Sequence, residues 1–136
     1  MSDTVRLIRS DRLSDVAEYA YAATPEPGTR LVFLAGACPL DGEGGVVAPG
    51  DHAEQARQVM DNLESALDSA GATLSDVVQT RVLVASTERA DLVTAWQVVR
   101  DRFGEHDAPS TLLGVTVLGY PDQLVEVEAI AAVRVA

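Results

Sequence analysis

The chain has no lysine and a single cysteine. All ten of its basic residues are arginines, so Schiff-base chemistry from a lysine amine is excluded. Cys38 stands alone, which rules out an intrachain disulfide and any cysteine metal cluster. The two histidines, His52 and His106, lack metal-ligand spacing to each other, and no metal or other cofactor is expected. No apolar run reaches the roughly 18–20 residues that span a membrane. Residues 1–6 lack the basic-then-apolar layout of a signal peptide, so no membrane partner and a cytoplasmic location are expected. Positive charge is scarce. Ten basic residues against 21 acidic ones leave a net charge of −11, which opposes binding to a nucleic-acid backbone.

What is present suits a globular chain. The 136 residues, 47% of them hydrophobic, suggest one domain over 1–136 with a full core. No linker, repeat or low-complexity tract breaks it. Residues 124–133 read as a long strand, rich in branched residues and free of Gly and Pro. Val125, Val127 and Ala129 share one face, and Glu126, Glu128 and Ile130 share the other. Both faces are apolar from Ala129 on, as in a central strand. Two carboxylates entering such a strand are costly unless they meet water, a partner or a substrate. They stand either at a solvated strand end or at the mouth of a pocket.

Other elements follow from local pattern. Strands are expected over 5–9, 19–22 and 31–37, with turns at 24–28 and 41–45. A helix is expected over 51–70. Asp51 and Glu54 have the spacing of a capping box. Ala56, Val59, Met60, Leu63, Ala66, Leu67 and Ala70 form its apolar stripe, and Gly71 stops it. A strand over 77–84, a second helix over 88–103 and strands over 110–118 and 124–133 complete an order of βββαβαββ. Two helices with one stripe each can cover one face of a mixed sheet. The other face, from Phe33 or Leu34 to Ile130, needs a cover that a homo-oligomer would supply.

Several segments together resemble the Rid (reactive intermediate deaminase) family, also called YjgF/YER057c/UK114. Ala35-Gly36-Ala37-Cys38-Pro39 resembles a family strand ending in Ser-Gly-Gln-x-Pro. Gln55-Ala56-Arg57-Gln58 with Asn62 and Leu63 resembles its helix signature. Ala70-Gly71-Ala72 with Asp76-Val77-Val78 resembles the helix end and next strand. Residues 109–130 resemble the last two strands, closing on Glu126-Val127-Glu128-Ala129-Ile130. The resemblance implies a chorismate-mutase-like α+β fold, a homotrimer, and small-molecule pockets between subunits. It also implies that the first glutamate of Glu-x-Glu, here Glu126, directs the water that hydrolyses an imine. The family's carboxylate-gripping arginine, in a Pro-x-Arg-Ser/Thr motif, has no counterpart. Without a gap Thr111 holds its place, and a one-residue slide puts Ser110 there.

A guanidinium grips a carboxylate by two charged hydrogen bonds, whereas a threonine hydroxyl offers one neutral bond. Ordinary carboxylate-bearing imino acids are therefore expected to bind poorly. Arg81, in a strand, is either a substitute grip or an ion-pair residue. Cys38 falls beside the family's pocket wall, yet no His or Lys lies near it in sequence to activate the thiol. Tyr19 matches a family tyrosine that orients substrate or packs at the interface. His106 is expected to cap helix carbonyls and His52 to be solvated. Two functions remain. One is a divergent imine or enamine deaminase with Glu126 as acid/base and Thr111, Ser110 and Tyr19 orienting the substrate. The other is a small-molecule-binding trimer that has lost the reaction. The ribonuclease label sometimes given to the family fits the charge poorly.

Overall fold

The computed structural model describes residues 2–136. A hairpin comes first. β1 (Val5–Ile8) and β2 (Ala22–Pro25) pair antiparallel, with Val5 opposite Pro25 and Ile8 opposite Ala22. β3 (Thr29–Phe33), β4 (Val77–Ala85), β5 (Ser110–Val115) and β6 (Val125–Arg134) form a four-stranded sheet in the order β3-β6-β4-β5. The β4–β5 pair is parallel and the others antiparallel, so the sheet is mixed. α1 (His52–Ser69) and α2 (Arg89–Phe103) cover one face. The expected α+β architecture and element order are present.

The core lies between helices and sheet. Val59, Met60, Leu63 and Leu67 of α1 and Ala95 and Val99 of α2 meet Val82, Val84, Val125, Val127 and Ala129. Period-2 alternation on β6 and period-3.6 spacing on α1 put these groups on facing surfaces. Asp51 starts α1 by accepting a hydrogen bond from the Glu54 amide at 3.0 Å. The Glu54 carboxylate pairs with Arg57 instead of closing the box. Gly71 lies beyond the helix end at φ 77°, a conformation that favours glycine.

Three strands differ from expectation. The second lies at 22–25, in the segment read as a turn, because β1 pairs there and leaves Tyr19 and Tyr21 to pack as aromatics. Pro25 is tolerated at the end of a hairpin edge. β5 stops at Val115 because its partner β4 ends at Ala85. β3 stops at Phe33 because the chain bulges. Phe33 faces Ile130 and Ala37 faces Val127, so four steps along one chain span three along β6. Such a one-residue bulge bends the strand and re-aims its backbone.

Gln55, fully buried on α1, was not expected inside. Its amide donates to Asp122 O at 2.9 Å and accepts from the Leu124 amide at 2.7 Å. It thereby ties the first core helix to the turn that feeds β6. Gln55→Ala strands both backbone groups and opens a cavity. The expected loss is about 2–4 kcal/mol of stability, read as a lower urea midpoint.

Candidate functional site on the bare sheet face

The face away from the helices carries the candidate residues Glu126, Arg81 and Thr111. Glu126, Glu128 and Ile130 of β6 alternate with the buried valines, as the sequence implied. Register aligns them with neighbours: Glu126 opposite Leu83, Glu128 opposite Arg81, and Ile130 opposite Gln79 and Phe33. Arg81 is in turn opposite Thr111. Phe33 is 73% exposed here, Leu31 is exposed on the same strand, and Leu113 is exposed on β5 at the other edge of the sheet. A depression of about 240 Å³ opens between Phe33, Arg81, Glu128 and Ile130. A larger one, about 340 Å³, lies by Arg6, Glu26 and His106 and holds none of the candidate residues.

Glu126 is held from three sides. Gln123 Nε2 donates to its Oε1 at 3.1 Å, and the Cys38 thiol donates to the same oxygen at 3.4 Å. On the third side is Gly36, where a Cβ would overlap Oε2 and stand 2.8 Å from Cδ. The carboxylate therefore occupies the space a side chain at position 36 would fill. Asn62 of α1 donates to Cys38 O at 2.8 Å and Leu40 O at 2.9 Å, and so anchors the segment carrying Gly36 and Cys38.

Burial pushes the Cys38 thiol up to about 11, with the Glu126 carboxylate adding to the shift. A thiol in that state is a donor to Glu126 and a poor nucleophile.

The remaining candidates divide between the faces. Arg81 Nε stands 3.4 Å from Glu128 Oε1, with both side chains about half exposed, at 54% and 44%. In solvent such a pair is worth under about 1 kcal/mol. Thr111 lies beside it, on the bare face. Ser110 lies on the helix side, accepting a hydrogen bond from the buried Thr80 at 2.7 Å. Tyr19 packs edge-on to Trp96 with ring centres 5.9 Å apart. Within one chain, then, Cys38 joins Glu126, and Thr111 and Arg81 join Glu128. Ser110 and Tyr19 sit apart from both.

The histidines differ in detail from expectation. His106 bonds Val77 O of β4 at 2.7 Å. His52 is largely enclosed, 3.8 Å from Asp91 of α2, because α2 packs over the start of α1. Among the described residues no group of three or more His, Cys, Asp or Glu is arranged to hold a metal. Among the same residues no helix is long and apolar enough to cross a membrane. Gln123, 4% exposed, had no sequence signal, since its partner is chosen by the turn at 119–122.

These features define a class: a two-layer α+β chain with a clamped carboxylate at the edge of a bare sheet face. Comparison with known proteins gives that class a family. The profile described as Endoribonuclease L-PSP matches residues 10–133. A RutC family protein of Pyrococcus abyssi is 37% identical over 101 residues, covering 74% of this chain and 77% of that protein. A 2-iminobutanoate/2-iminopropanoate deaminase of Escherichia coli is 34% identical over 106 residues, covering 76% and 80%. The crystal structure of YyfB, a Rid-family protein of unknown function from Yersinia pestis, superposes with TM-score 0.86 at 28% identity, covering 96% of this chain and 99% of that one. The chain belongs to the YjgF/Rid family.

The raised thiol pKa has a direct consequence. Thiolate is populated only as pH rises toward about 11. Iodoacetamide should label Cys38 about a hundredfold more slowly than an unperturbed thiol at pH 8. Glu126→Gln, which removes the neighbouring charge, should speed labelling.

Proposed function

We propose that this protein is a deaminase-type hydrolase of a small imine or enamine, working in pockets between the subunits of a homotrimer. The observation that carries the reading is the Glu126 carboxylate, held by Gln123 and Cys38 over Gly36 at the edge of the bare face. Membership of a family with deaminase relatives supports it. In this reading Glu126 takes a proton from water as the oxygen attacks the imine carbon. It passes that proton to the nitrogen, giving a carbinolamine. It then takes the hydroxyl proton and delivers it to the same nitrogen as the C–N bond breaks and the C=O forms, so a carbonyl compound and ammonia leave. This is general acid–base chemistry. An enamine enters the same route after protonation at carbon. A cytoplasmic location belongs to the same reading.

Charge on that face selects the substrate. Glu126 and Glu128 face one guanidinium, Arg81, which already pairs with Glu128. Thr111 contributes a neutral hydroxyl. A free carboxylate on the substrate would meet net negative charge, so the substrates are neutral or amine-bearing rather than the usual imino acids. The same balance disfavours RNA. The neutral Thr111 also favours a second reading, a trimer that binds a small molecule without turning it over.

Coupled ammonia-release assays separate the two. Turnover of a neutral or amine-bearing imine, with 2-iminopropionate slow, is expected. Glu126→Gln should lower kcat by about 10²–10⁴-fold and leave assembly intact, and Thr111→Arg should raise the 2-iminopropionate rate. Saturable binding of such imines without ammonia release selects the binding trimer.

Light scattering should give about three times the 14.4 kDa chain mass. The exposed Phe33, Leu31 and Leu113 supply the apolar surface such an assembly needs. A monomer at micromolar concentration removes the inter-subunit pocket.

A further inference from the structure

We infer that Gln123 is a positioning residue for Glu126, with Cys38 as its second donor, and that the two leave one carboxylate oxygen for chemistry. The inference rests on Glu126 being the acid/base. Gln123 is 4% exposed, and each polar atom of its amide is committed. Oε1 accepts from the Tyr120 amide at 3.1 Å. Nε2 donates to Val125 O and to Glu126 Oε1, both at 3.1 Å. The amide has one workable orientation. Turned over, its oxygen would face a carbonyl and a carboxylate, and its NH₂ would face an N–H.

The turn beneath is fixed as tightly. Asp122 sits at φ 63°, a left-handed conformation that Asp tolerates better than most residues. Gln55 grips the backbone on both sides of Gln123, at Asp122 O and the Leu124 amide. A buried core helix thus aims a buried amide at the one carboxylate oxygen that Cys38 also reaches.

The result is an asymmetric carboxylate. Oε1 takes both donors. Oε2, lying over Gly36, has no protein donor among the described residues. Oε2 is therefore the oxygen that exchanges a proton with water or substrate. Gln123 and Cys38 hold its lone pairs in one direction without touching the reacting atoms.

Gln123→Leu and Gln123→Met, each checked for a retained thermal transition and trimer, remove the donor at similar volume. Losing a hydrogen bond to a charged group should lower kcat about ten- to a hundredfold, with KM within about twofold. Cys38→Ala should lower kcat as well, and Cys38→Ser, which keeps a donor, should restore it. The carboxylate infrared band of Glu126, assigned by its loss in Glu126→Gln, should move toward that of a solvated glutamate in both Gln123 variants. Unchanged kcat and an unchanged band in either folded variant overturn the inference. If the wild type turns over no imine offered, the acid/base reading fails, and the band alone decides whether Gln123 holds Glu126.

Discussion

Glu126 and Gly36 approach so closely that no side chain fits between them. Much of the site follows from that contact. A strand with a regular register would place backbone and side chains of 34–37 in step with β6. The one-residue bulge after Phe33 breaks that step and lays a bare Cα against the carboxylate. A carboxylate entering an apolar sheet needs donors, because an unpaired one there is costly. The bulged segment supplies one through Cys38, and the turn before β6 supplies the other through Gln123.

Both donors trace back to α1. Asn62 holds the carbonyls of Cys38 and Leu40, and Gln55 holds the turn at 122–124. These amides lie along one helix whose apolar residues form the main core. Core packing and site geometry are therefore not separable here. A helix displaced on the sheet would move both donors relative to β6. This gives a physical reason for polar side chains in a helix that otherwise buries Val59, Met60, Leu63 and Leu67.

The bare face differs from the covered one in kind. Its aliphatic and aromatic groups, Phe33 above all, are spread around the polar row of Thr111, Arg81 and Glu128. In a single chain the Arg81–Glu128 pair is solvated and weak. Covered by another surface, the same pair would lose water and gain Coulomb energy, and its geometry would matter more. Any surface that covered this face would therefore act on its polar row through that ion pair.

Local pattern in the sequence determined the element order, the apolar stripe of α1, the inward valines of β6 and the outward glutamates. These depend on periods of 3.6 and 2 that hold within a few turns or residues. The family resemblance rested on the same segments. Tertiary structure decided the rest. Register alone put Thr111 on the bare face and Ser110 against Thr80, since one residue of slip reverses every side chain of a strand. Pairing with β1 moved the second strand to 22–25 and left Tyr19 against Trp96. Gln123 met Glu126 because a turn with a left-handed Asp122, gripped by Gln55 from 67 residues away, aimed it there. Such long-range hydrogen bonds leave no period in the sequence, because their partners are set by how the layers pack.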